Sequence, residues 1–204
     1  MKFQIVAGEL SLDFVNTFDN RPVPERYKEL IVDYKDLVDF AAQAGGIDPS
    51  LHSTLIREAE AHPAKASEVL TRALQLRETL YRILKARLAG RSIDEPDRHA
   101  FSATLAEALS HRQLQATRSG FRLEWTKEPA NLEAVWWPIA DSAAQLLTSL
   151  DLALVRECNA KTCRWMFVDR SKNHSRRWCD MKVCGNRTKA RKFYRRSKTK
   201  LRHA

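Results

Sequence analysis

Hydrophobic positions recur every three to four residues along most of the first 150 residues, the period at which an α-helix turns one face inward. From Glu25 to Ala44, Leu30, Ile31, Tyr34, Leu37, Val38 and Ala41 share a face, and Gly45-Gly46 marks the stop. Asp48-Pro49 predicts a second helix, as cap and first-turn proline, with Leu51, Leu55, Ile56 and Ala59 inside. Beyond Pro63 a longer helix runs to about Ala89 on the stripe Val69, Ala73, Leu76, Leu80, Ile83, Leu84 and Leu88, closed by Gly90. Asp94-Glu95-Pro96 opens a fourth, carrying Phe101, Leu105 and Leu109. The period then falls to two. Leu114 to Thr117, a Ser119-Gly120 turn and Phe121 to Trp125 predict a hairpin with Phe121, Leu123 and Trp125 toward the core. A last helix follows Trp136-Trp137-Pro138, with Ile139, Ala143, Leu146, Leu147 and Leu150 inward. This pattern predicts a mainly α fold with a small antiparallel β element.

Charge divides the chain in two. The 204 residues carry a formal net charge of +10 with 44% hydrophobic residues, long and apolar enough for a real core. From Arg156 onward, 17 Lys and Arg stand against three acids, a net +14; before it, 18 bases and 22 acids leave −4. We therefore place a mildly acidic body at residues 1–153 and a basic module at 154–204. Every long apolar stretch is broken by a charge, so no membrane span of about 20 residues fits. The opening Met1 to Phe14 lacks the apolar core of a secretory signal, and the expected location is the cytoplasm.

All four cysteines lie in the basic module. Cys158 and Cys163, then Cys179 and Cys184, form two C-x4-C pairs separated by 15 residues. In a reducing compartment such pairs point to metal rather than disulfides. Four thiolates complete a tetrahedral shell for one structural Zn²⁺ with no open position for catalysis. His174 is a substitute ligand on the same stretch. Between the pairs, Arg164 to Asp169 and Ser175 to Cys179 read as strands of a hairpin joined by Arg170 to His174, with Trp165, Phe167 and Trp178 clustering beside the metal. A unit of this size needs its metal to fold.

After the second pair, Gly185 suits a tight turn and Asn186 an N-cap for a helix from Arg187 to about Lys200. Ala190, Phe193 and Tyr194 form a short apolar seam that could dock on the zinc core, and Lys198 to Ala204 should fray. The rest of that helix is basic, and repulsion along it would be relieved by a polyanion. A zinc-held hairpin followed by a basic helix fits major-groove insertion. Arg176, Arg177, Arg187, Arg191, Lys192 and Arg195 are the expected DNA contacts, with Lys189 and Arg196 behind them. No feature reports on the 2′-hydroxyl, so RNA stays open as a partner.

The body carries little chemistry. Phosphate-loop, dinucleotide-binding, nucleophile-elbow and HExxH motifs are absent, and the six histidines show no ligand spacing. Asp13 and Asn16 are polar residues inside the apolar run Leu10 to Thr17. Capping or a buried hydrogen bond is their plainer reading, and contact with a small-molecule ligand the sharper one. No enzymatic activity is expected.

The segment Val155 to Arg196 resembles the CGNR zinc finger family through Cys184-Gly185-Asn186-Arg187, both cysteine pairs, Arg164 to Asp169 and Arg176 to Cys179. The body is similar to the ABATE domain through Leu10 to Thr17, Phe121 to Trp125 and Trp137 to Ser142. The resemblance implies a bacterial, stress-related transcription regulator with a DNA-binding finger and a sensing body for an unidentified effector. A homodimer is the common arrangement of such readers. The rival readings are an RNA- or protein-binding finger, and a body that acts on a small molecule. The last predicts a polar pocket with converging titratable groups around Asp13 or Asn16.

Overall fold

The structure, a computed structural model, describes residues 2–126 and 131–201, the last seven of these as backbone only. The body is helical. Its helices are α1 (Leu10–Val15), α2 (Tyr34–Gln43), α3 (Pro49–Ala61), α4 (Pro63–Leu88), α5 (Glu95–Ser110) and α6 (Trp137–Thr148). Two antiparallel ribbons accompany them: β1 (Phe18–Asp19) with β2 (Lys28–Glu29), and β3 (Arg112–Thr117) with β4 (Gly120–Trp125). The basic module adds β5 (Val155–Glu157), β6 (Met166–Val168) and α7 (Asn186–Leu201). Among the described residues no helix is long and apolar enough to cross a membrane.

α2 and α3 start at capping side chains, whereas Asp94 ahead of α5 makes no side-chain cap bond. Asp48 accepts from the Leu51 N–H at 2.8 Å, with Pro49 at the first helical position. α2 is shorter than the apolar spacing predicts. Asp33 caps it by accepting from the Asp36 N–H at 2.7 Å, and the preceding residues form a one-turn helix at Pro24–Arg26 and then β2. The cap overrode the periodicity because Leu30 and Ile31 reach the core from the chain ahead of the helix. The last helix also ends early, leaving Leu150 in a following turn and 93% exposed.

α1, which no helical period announces, is the centre of the body. Six residues are too few to show a period, and Ser11 to Val15 are all buried. It packs on α4, α6 and β6. One continuous core runs from Phe3, Leu12, Phe14 and Phe40 through Trp136, Trp137 and Ile139 to Phe167, Met166 and the cysteines. Body and basic module therefore fold around the same interior.

β3 and β4 form the expected hairpin, but not in the expected place. Trp125 and Trp137 rings lie 6.0 Å apart, with His111 stacked on Trp137 at 4.0 Å, so the hairpin's base is packed. Phe121 and Leu123, assigned to the core by their alternation, are 72% and 59% exposed, and Leu114 across the ribbon is 63% exposed. Alternation shows that a face is apolar and leaves open what covers it.

Candidate metal centre and basic helix

The strands of the basic module are not the predicted pair. β6 pairs with β5 upstream of the first cysteine, in the register Val155↔Val168 and Glu157↔Met166, whereas Ser175 to Cys179 run without strand pairing. The first C-x4-C pair is therefore the loop of this hairpin. The Cys158 N–H donates to the Trp165 carbonyl at 2.8 Å, and the Cys163 N–H to the Ala160 carbonyl at 3.0 Å. Arg164 follows with φ of 61°, a left-handed kink that swings the chain from the cysteine turn into β6.

The second pair sits at the root of the basic helix. Asp180 accepts from the Lys182 N–H at 2.6 Å and the Val183 N–H at 3.3 Å, opening a wide helical turn at Met181–Gly185 that runs directly into α7. Asn186, expected as the cap, has φ −64° and ψ −42° and lies within the helix; Asp180 is the cap in its place. Gly185 is explained by packing rather than by a turn. A Cβ there would come within 3.1 Å of Trp178 Cδ1 and 2.3 Å of Met181 Sδ. Cys184 thus ties the helix to the metal centre, and the Thr188 hydroxyl donates back to the Cys184 carbonyl at 2.8 Å.

Four buried sulfurs converge. All Sγ atoms of Cys158, Cys163, Cys179 and Cys184 lie within 4.8 Å of one another. Cys163 and Cys179 sulfurs are 3.5 Å apart, and those of Cys179 and Cys184 3.6 Å. These spacings exceed any disulfide bond, and a tetrahedron with Zn–S near ~2.3 Å has edges of about 3.8 Å. Without a cation the set resists full ionisation. Hydrogen bonds from Cys163, Cys179 and Cys184 push the Cys158 thiol down, while bonding to Cys158 pushes Cys163 up. A divalent ion would hold all four as thiolates, and its role in a closed shell is structural. The donor set fits one zinc ion. His174 is exposed and directs Nδ1 to the Asp169 carbonyl at 2.9 Å, away from the sulfurs.

Of the basic residues selected for nucleic acid, Arg177, Arg187, Lys189, Arg191 and Lys192 are exposed. Arg195 and Arg196 have side chains outside the described residues. Arg176 is used inside the molecule. Its guanidinium sits 4.3 Å over the Phe167 ring and donates to the carbonyls of Trp178 at 2.9 Å, Val6 at 3.1 Å and Cys179. The seam expected to dock on the zinc core stays outside it, with Phe193 and Tyr194 68% and 69% exposed.

Asp13 and Asn16 hold the body to the module. The Asn16 amide donates to the Met166 carbonyl and accepts from the Met166 N–H, both at 2.9 Å. Asp13 Oδ1 accepts from the Val6 and Ala7 N–H groups at 2.9 and 3.0 Å, and the Ala7 carbonyl accepts from Val168 at 2.8 Å. Beside Asp13 lies an open groove lined by Ile5, Gly8, Glu9, Ala44 and Ser142, with Glu9 as its second carboxylate. Two further ties were invisible in the sequence because their partners are distant. Trp165 Nε1 donates to Asp19 at 2.8 Å, and Lys85 pairs with Glu157 at 2.6 Å.

Burial pushes the Asp13 carboxyl up to about 6, against the two backbone N–H groups and Arg176 that favour its charge. In the unfolded chain it ionises near 3.8. The folded state therefore holds the proton more tightly between those values, and stability falls as pH rises through them. Asp13→Asn keeps the acceptor and removes the ionisation. Its stability relative to wild type is expected to rise by about 2 kcal/mol from pH 4 to pH 7, read from urea midpoints. A constant difference would show that Asp13 ionises normally.

Residues 8–150 match the ABATE family, described as a putative stress-induced transcription regulator, and residues 155–197 match the CGNR zinc finger. No protein among those with curated descriptions matches the chain. The first match spans most of the chain and the second falls on the four-sulfur cluster and its helix. The chain belongs to the ABATE family and carries a CGNR zinc finger as its C-terminal module.

Proposed function

We propose that this protein is a cytoplasmic transcription regulator that binds DNA through α7, with the body sensing a signal and catalysing no reaction. The observation that carries this reading is the basic helix itself. It leaves the metal cluster at Cys184 and exposes Arg187, Lys189, Arg191 and Lys192, with no acid between Asp180 and Leu201. Such a surface loses free energy to self-repulsion and regains it on a phosphate backbone. Arg177 adds a cation from the stretch before Cys179. Arg176 is excluded from the contact set because three carbonyls and a ring already engage it.

Binding should weaken steeply with salt. About five phosphate contacts give a log–log slope near −4.5, and a slope near zero would remove the proposal. Arg187→Ala with Arg191→Ala then separates the modes of contact. A loss of sequence preference assigns base reading, and uniform weakening assigns phosphates alone. Phe193 and Tyr194 support a second reading, because exposed aromatic rings among cations also stack unpaired bases. Preference for single-stranded over duplex competitor, abolished by Tyr194→Ala, would favour it.

A further inference from the structure

We infer that the β3–β4 hairpin is the self-association surface of this protein, with the same hairpin of a second copy as its occupant. Cross-strand partners place Leu114 with Leu123 and Ala116 with Phe121 on one face, and Gln113 with Glu124 and Gln115 with Arg122 on the other. The hairpin is amphipathic, yet among the described residues its packing on the body is at the base, through Trp125 and the Arg112–Asp141 pair. A two-stranded ribbon is marginal in water and needs its apolar face covered. This one presents Leu114, Phe121 and Leu123 to solvent over both strands.

Area and charge choose the occupant. The three large side chains expose on the order of 350 Å² of apolar surface, within the ~300–600 Å² of the largest patch on an ordinary monomer, a patch that is often functional. Two such faces together remove about 700 Å² of apolar area, and with their polar rims they reach the ~1,200 Å² of a small specific interface. The arginines around the face are largely neutralised within the chain: Arg112 pairs with Asp141, and Arg122 with Glu124. A second copy therefore meets little like charge, and a polyanion finds little to hold. Arg118, in the turn between the strands, is kept from its counterpart when the hairpins pack antiparallel about a two-fold axis. The inference does not depend on nucleic-acid binding.

Light scattering of the zinc-loaded full chain between ~1 and ~200 µM should show the mass rising toward twice the 23.5 kDa of one chain. Phe121→Ser with Leu123→Ser should hold it at one chain mass while leaving the melting temperature at low concentration unchanged. Wild-type protein that stays monomeric at the highest concentration overturns the inference, as does a dimer that survives the double substitution. Should that variant fold poorly, amide exchange of the wild type decides. Protection of residues 113–124 must increase with concentration, and equal exchange at both ends of the range overturns the proposal.

Discussion

Stripping the metal is expected to release residues 158–163 and 177–194 while leaving the body helices folded. Apparent binding free energies for structural zinc in small finger peptides run to about 10–16 kcal/mol, as large as the whole stability of an ordinary domain. The cysteine loops and α7 have little else to close them. From Val155 to Cys184 the chain makes one three-residue ladder, β5 with β6, and the second cysteine pair has no strand at all. Four buried sulfurs within 4.8 Å of one another repel once ionised, so metal loss also turns a cohesive centre into a strained one. The boundary of the damage follows from the hydrogen bonds. Met166 and Val168 are held by Asn16 and Ala7 of the body, and Asp169 N–H donates to Leu154 at 2.9 Å; these need no metal. Amide exchange after chelation should show α7 and the cysteine loops near unfolded-chain rates, with β6 and α4 still protected. Because Cys158, Phe167 and Val168 belong to the common core, melting should also fall, by on the order of 10 °C. Unchanged protection in α7 after a colorimetric assay shows one zinc released per chain would refute the account. Cys179→Ser should reproduce the chelated state.

Helices α2 to α6, the hairpin and the four-sulfur centre were legible because each has a short-range signature. Asp48-Pro49 announces α3 locally, and two C-x4-C pairs announce a metal through spacing alone. What escaped depends on long-range partners. Arg176 sits in a run of arginines that reads as phosphate-binding, and only folding brings Val6, 170 residues away in sequence, to its guanidinium. β6 was identified as a strand and mispaired, because a three-residue apolar run does not say which neighbour completes it. Asn186 follows a cysteine and glycine and looks like a cap, yet Asp180 six residues earlier starts the helix. Charge divides the chain near residue 154, but charge cannot show that the two segments share a core. Phe121 and Leu123 illustrate the converse: the apolar face is real, and its location is outside.

Asn16→Ala should be the most damaging single change in the body that removes no metal ligand. Asn16 is 3% exposed, at the C-cap of α1, and its amide acts as a surrogate peptide for Met166. Donor and acceptor are both satisfied, at 2.9 Å each. Met166 is paired with Glu157 at the end of a ladder only three residues long, so nothing else stands ready to replace the amide. Alanine leaves a backbone N–H and a carbonyl buried without partners, at about 1–3 kcal/mol each, and opens a small cavity besides. The expected cost is about 4 kcal/mol. Asn16→Asp discriminates between lost volume and lost hydrogen bonding. It keeps the acceptor for the Met166 N–H but sets a carboxylate against the Met166 carbonyl, and should cost at least as much near neutral pH although its shape is preserved. The two variants should also loosen the zinc module specifically, since β6 is where the body grips it. Zinc transfer to a competing chelator is therefore expected to accelerate at least tenfold in Asn16→Ala, with the helix content of the body intact. If both variants unfold at the wild-type urea midpoint and release zinc at the wild-type rate, the Asn16–Met166 clamp does not couple the two parts of the chain.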